Sequence, residues 1–204
     1  MDIPWRMRVS ANLEKQLFAR LKAMGFMVAQ NGTEHTYPTF VEQLKQSTDQ
    51  TSLAIRFQPD GVASLGNIPR SFYVEAKATQ EPDKPHTIEK TAWEQYWKLH
   101  ANGNIMAIVF GQFVSRGDDI TYNFVWRWNF LEGICLIPGE ETVKPYSSPF
   151  PVKDGWICPR GSKREAELKA GGNYDCSGTP YGVVDMKSLL DWDCFKTLVM
   201  ERLR

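Results

Sequence analysis

Leu13, Leu17, Phe18, Leu21 and Met24 recur at three- and four-residue intervals in SANLEKQLFARLKAMG. That spacing predicts an amphipathic helix over residues 10–25, with Ser10 or Asn12 as its cap and Gly25 as its stop. Residues 26–29 read as a short strand turned by Asn31-Gly32, and residues 36–45 as a second, weaker helix. In SLAIRF, residues 52–57, the apolar positions alternate, which predicts a strand ended by Pro59-Asp60-Gly61. Asn67-Ile68-Pro69 marks a loop, and SFYVEAKA, residues 71–78, is the next strand. The two prolines of residues 79–86 exclude a helix from that connection. Thr87 then caps a predicted helix reaching His100 and closed by Asn102-Gly103. NIMAIVFG, residues 104–111, is apolar on both faces, as a buried central strand must be. In the strand predicted over residues 120–128, Tyr122, Phe124, Trp126 and Trp128 share one face. Residues 138–178 are rich in Pro, Gly, Ser and charge, and residues 186–203 read as a final helix anchored by Leu189, Leu190, Phe195, Leu198 and Val199. This order predicts an α/β fold in which a mixed central β-sheet is flanked by helices. Residues 1–130 would form the core, with residues 131–204 an irregular C-terminal extension packed on it.

Composition narrows the chemistry. The chain has 204 residues, enough for one domain with its own core, and balances 24 basic against 24 acidic residues. A polyanion partner would therefore have to be met by local charge. Cys135, Cys158, Cys176 and Cys194 form no close pair, so they read as free thiols of a reducing compartment, not as a zinc site or a disulfide framework. No run is long enough to span a bilayer, and no leader-like segment opens the sequence, so a cytoplasmic location is expected.

Charge enters the apolar pattern at one informative place. Along FYVEAKA, Phe72, Val74 and Ala76 point one way, and Tyr73, Glu75 and Lys77 the other. Glu75 and Lys77 are then neighbours about 6–7 Å apart on one sheet face. If the strands before and after the turn pair, Asp60 approaches Glu75. Two adjacent carboxylates repel, and a hard divalent cation resolves the repulsion. Oxygen ligands without sulfur or imidazole suit Mg²⁺, with Mn²⁺ a substitute, and Mg²⁺ takes one or two carboxylates while substrate phosphate completes its shell. A lysine beside it can orient water and offset charge on phosphorus.

Asp60, fourteen intervening residues, then Glu75-Ala76-Lys77 resembles the PD-(D/E)XK nuclease superfamily, over roughly residues 8–130. The compact layout looks most like Holliday-junction resolvases of archaeal and phage type. The resemblance implies a restriction-endonuclease-like core, Mg²⁺-dependent cleavage of branched or duplex DNA, and a homodimer for symmetric cutting, in the host cytoplasm if phage-encoded. It also implies that Asp60 and Glu75 bind metal, that the Ala76 carbonyl adds a ligand and that Lys77 assists the nucleophile. Members often add a glutamate from the first helix and a glutamine from the helix after the lysine strand, and Glu14 and Gln95 stand at those positions. At about 100° per residue, the apolar stripe of the first helix spans about 140° and Glu14 falls inside it. Gln95 lies about 20° off the stripe of Ile88, Ala92, Tyr96 and Leu99.

The triplet alone is common: Glu167-Leu168-Lys169 and Asp185-Met186-Lys187 repeat its form, but only Glu75-Ala76-Lys77 lies on a predicted strand with a Pro-Asp pair at suitable distance upstream. His35, His86 and His100 have no triad partner, and the Trp126 and Trp128 face is first a core face. Arg6, Arg8, Arg56, Arg160, Lys163 and Arg164 are the candidates for contact with a nucleic-acid backbone. The alternatives are a restriction-, homing- or repair-type endonuclease on duplex DNA, or a catalytically inactive binding or assembly module of the same fold.

Overall fold

The computed structural model describes residues 5–31, 49–66, 68–79, 84–116, 122–138, 152–158 and 180–204 and, of Arg6, only the backbone. The helix expected over residues 36–45, His35, and the turn at Asp118-Asp119 lie outside them.

Helix α1 (Trp5–Ala23) starts five residues earlier than the sequence pattern suggested, so Ser10 and Asn12 lie inside it instead of capping it. Gly25, at φ +92°, takes the left-handed conformation that ends it. Strand β1 (Phe26–Gln30) follows. Residues 50–56 correct the expected strand: they form helix α2 (Gln50–Arg56), whose cap Asp49 accepts a hydrogen bond from Ser52 N–H. Strand β2 (Gly61–Leu65) then begins immediately after Asp60, and β3 (Ser71–Thr79) carries the Glu75-Ala76-Lys77 triplet. Thr87 caps no helix. It opens a short strand, β4 (Thr87–Glu89), and α3 (Lys90–Ala101) starts after it. Strands β5 (Ile105–Arg116) and β6 (Tyr122–Phe130) complete the regular part of the core.

The expected long final helix is also corrected. Residues 186–203 form a 3₁₀ turn, strand β11 (Leu190–Asp191), a second 3₁₀ turn and helix α4 (Phe195–Leu203). Between β6 and β11 lie the short strands β7 (Leu136–Ile137), β8 (Val152–Lys153), β9 (Trp156–Ile157) and β10 (Tyr181–Val184).

The main sheet is six-stranded, in the order β1-β2-β3-β5-β6-β11. It is mixed: β3 and β5 run parallel and every other neighbouring pair antiparallel. Helices α1 and α4 cover one face, where Leu13, Leu17 and Leu21 meet Phe72, Val74, Val109, Trp128, Phe195 and Val199. The other face packs Met106, Ile108 and Phe110 against Ala92 and Tyr96 of α3 and Val184 of β10. A smaller sheet, β4-β10-β9-β8, lies on this side, with β7 also paired to β10. The apolar residues of α4, from Phe195 to Leu203, are spent on the core of this one chain. Among the described residues, no helix is long and apolar enough to cross a membrane.

Candidate active site

The β2–β3 ladder brings Asp60 to Glu75. Gly61 pairs with Val74 in antiparallel register, so the position before Gly61 faces the position after Val74. At that point side chains take over from the ladder's carbonyls. Ala76 N–H donates to Asp60 Oδ2 at 2.7 Å, and Asp60 N–H donates to Glu75 Oε2 at 3.1 Å. Each residue's carboxylate accepts from the backbone of the opposite strand. Gly61 is part of this construction, not of a turn. A Cβ there would lie 2.8 Å from Phe18 Cε1 and 3.0 Å from the Ala29 carbonyl oxygen, so α1 and β1 close over β2 only because Gly61 has none.

The alternation along β3 sends Glu75 and Lys77 to the α3 side of the sheet. Lys77 Nζ lies 2.5 Å from Glu75 Oε1, and Glu75 is 4 % exposed while the Lys77 side chain keeps 29 %. Glu14 and Gln95, at 8 % and 7 % exposure, are both buried. Gln95 comes from α3, beside Tyr96. Glu14 comes from α1 on the opposite side of the sheet, yet its charge is felt by Asp60.

Burial pushes the Asp60 carboxyl well above the usual carboxylate range, and the neighbouring Glu75 charge adds to the push; Lys77 and the Ala76 N–H oppose them without prevailing. Burial disfavours the charged form of Lys77, but Glu75, with Tyr96 and Asp60, outweighs it and holds the ammonium pKa well above that of an ordinary lysine. Lys77 is thus a cation bound to its carboxylate neighbour.

The donors at this place are the carboxylates of Asp60 and Glu75, with the Ala76 carbonyl next to Glu75 in sequence; neither sulfur nor imidazole belongs to the set. Two repelling carboxylates fit a hard divalent cation that keeps water or phosphate in its remaining positions. No group of three or more His, Cys, Asp or Glu side chains at metal-binding separation occurs among the described residues. Glu14 is therefore placed as a nearby charge and is not gathered with the pair.

Tyr96 was expected only as part of an apolar stripe. It borders the site directly, with its ring centroid 5.7 Å from Lys77 Nζ, and burial, with the neighbouring Glu75 charge, raises its phenol pKa well above the ordinary value. His86 lies in the loop before β4, as expected, and is buried there at 1 % exposure, with Nδ1 2.5 Å from Thr79 Oγ1. Trp126 and Trp128 are buried in the core. Arg8 is exposed on α1, and Arg56 ends α2 with its guanidinium 4.8 Å from the Phe57 ring centroid. Arg160, Lys163, Arg164 and Cys176, like the Arg6 side chain, lie outside the described residues.

No protein-family model and no curated protein matches the chain. Among solved structures, it is similar to Hjc of Archaeoglobus fulgidus, a Holliday junction resolvase from an archaeal hyperthermophile. The identity is 16 %, the match covers 63 % of this chain and 77 % of that one, and the TM-score is 0.38.

Proposed function

We propose that the protein is a Mg²⁺-dependent DNA endonuclease, with Mn²⁺ able to substitute. The observation that carries this reading is the reciprocal Asp60–Glu75 pairing across β2 and β3 with Lys77 on the same face as Glu75. Asp60 and Glu75, with the Ala76 carbonyl, would hold the cation. When bound, it supplies Lewis-acid polarisation of the phosphate and a more acidic water. Lys77, already a firm cation, orients the attacking water and offsets the negative charge that grows on the phosphate oxygens. Glu14 and Gln95 border this chemistry from the two helical layers. Arg6, Arg8, Arg56, Arg160, Lys163 and Arg164 meet the DNA backbone, because a chain of no net charge must place its positive charge locally. The resemblance of the Asp60 to Lys77 segment makes the four-way junction the first substrate to try. Symmetric cutting of such a junction would use a homodimer, in the cytoplasm.

The test is cleavage of labelled four-way junction, nicked, flap and linear duplex DNA, with Mg²⁺ or with EDTA. Asp60→Ala and Lys77→Ala run alongside. Metal-dependent cutting that both substitutions abolish is expected. No cutting of any substrate removes the nuclease reading, and equal cutting of junction and linear duplex removes the junction preference alone.

A further inference from the structure

Asn31 lies one place beyond β1, and the sheet register carries it to the site. Gln30 pairs with Gly61, so Asn31 stands opposite Asp60, and the Asn31 N–H donates to the Asp60 carbonyl oxygen at 2.9 Å. Asp60 in turn faces Glu75 across β2 and β3. Three neighbouring strands therefore set Asn31, Asp60 and Glu75 in one row. Residues opposite each other in a ladder present their side chains on the same face, about 4.5–5.5 Å apart.

The carboxamide at the end of this row is left idle. Its Nδ2 is closed off from solvent and meets no hydrogen-bond partner among the described residues. A buried N–H normally finds an acceptor, and one that does not calls for a reason. The carboxylates of the row are engaged elsewhere: Asp60 Oδ2 accepts from the Ala76 N–H, and Glu75 takes the Asp60 N–H and the Lys77 ammonium. Asn31, Asp60 and Lys77 are each only half-buried, so the row opens to solvent. A rotation of the Asn31 side chain between ordinary rotamers brings its NH₂ to that opening. A neutral amide suits the place. It can donate to an anion, whereas a lysine would pair with Asp60 and a further carboxylate would repel phosphate.

We propose that Asn31 is a substrate-binding donor of the site: its Nδ2 amide hydrogen-bonds a non-bridging oxygen of the scissile phosphate, on the side of Asp60 away from Glu75. Lys77 stands on the Glu75 side, so the phosphate is held from both ends of the row. The proposal rests on the nuclease reading, and its test separates the two. Wild type, Asn31→Ala and Asn31→Asp are compared. Thermal midpoints are taken without metal or DNA, and Mn²⁺ binding to the DNA-free protein is measured by titration calorimetry. Single-turnover cleavage of the four-way junction follows at saturating Mn²⁺, with the phosphate at the mapped cut either normal or carrying one Rp or Sp phosphorothioate.

Asn31→Ala removes a donor that has no partner, so its midpoint should equal or exceed that of wild type, with Mn²⁺ affinity unchanged. Its cleavage should slow by about a hundredfold, as when one donor to a developing oxyanion is lost. Sulfur accepts hydrogen bonds poorly, so one diastereomer should slow wild type, and that sensitivity should be lost in Asn31→Ala. A merely structural role would not produce this coupling. Asn31→Asp keeps the shape and an oxygen but not the donor, and should cut no faster than Asn31→Ala. Weakened Mn²⁺ binding in Asn31→Ala, with an active Asn31→Asp, would make the residue a metal ligand and overturns the donor role. So does a lowered midpoint, a wild-type cleavage rate in Asn31→Ala, or equal sulfur sensitivity in the two proteins. Any of these in a wild type that cuts DNA removes the inference alone. A wild type that neither binds Mn²⁺ nor cuts DNA removes the nuclease reading, and the inference with it.

Discussion

Replacing Gly111 with alanine tests how tightly α1 is seated over the site. Gly111 lies on β5, paired with Ala78 of β3 and Trp126 of β6. An added Cβ would overlap Leu13 Cδ1 outright and stand 2.9 Å from Cδ2 and 3.0 Å from Cγ, where carbon atoms rest at about 3.5–4.0 Å. Leu13 is fully buried among Leu17, Val74 and Val109, so it has no room to swing aside. Gly111 has no positive φ, so alanine strains no backbone there and even lowers the entropy of the unfolded chain. Any loss of stability is therefore the overlap itself. Gly111→Ala should cost about 1–3 kcal/mol, as overpacked cores do. Leu13→Ala alone should cost about 2–5 kcal/mol through the cavity it leaves. In the double variant the new methyl enters that cavity, so the two costs should fall short of adding by at least about 1 kcal/mol. Urea unfolding of the four proteins, with equal slopes, measures the cycle. Additive costs, or a Gly111→Ala variant as stable as wild type, would refute the packing argument.

Two further outcomes follow from buried charge. Because the folded-state pKa of Asp60 lies well above its unfolded value, the folded state holds that proton longer, and metal-free stability falls as pH rises from about 4 through the raised pKa. Asp60→Asn should remove that slope and raise the thermal midpoint in EDTA at neutral pH while abolishing cleavage; a midpoint at or below wild type contradicts the repulsion. His86 titrates in the opposite sense. Burial, aided by the Arg127 charge, lowers its pKa from 6.5 to about 4, so the stability from keeping it neutral is full above 6.5 and is lost as pH falls toward 4. That shift corresponds to about 3 kcal/mol, and urea midpoints of His86→Gln should be correspondingly flatter across this window than those of wild type.

Where one face of an element is buried within its own segment, the sequence pattern was sufficient to find it. The α1 stripe, the alternation in β3, the doubly apolar β5 and the aromatic face of β6 all appear in the core where their periodicity puts them. Elements defined by distant partners were illegible. Residues 52–57 alternate like a strand, but Leu53 and Phe57 are also four apart, and the Asp49 cap decides for a helix. The small residues of β2 look like loop until β1 and β3 pair with them from both sides. The strand at residues 87–89 exists because Tyr181 to Val183 lie against it, and Leu190-Asp191 becomes a strand because it pairs with Trp128 and Arg127 of β6.

The site divides along a related line. Reading a pattern finds a residue by the rule it breaks. Glu14 and Gln95 stand out because a carboxylate and an amide sit in or against apolar stripes, and both are buried. Glu75 and Lys77 stand out because opposite charges share a sheet face, and they pair there. Tyr96 breaks no rule: its ring belongs to the stripe and fills the core as an apolar residue would. Only its hydroxyl is polar, and Lys77, whose Nζ lies 5.7 Å from its ring, stands on a strand that the helix must first be packed against. A phenol in a stripe is silent until the layers meet. The residue that brings the helix against the charged pair is thus the one the linear pattern had least means to mark.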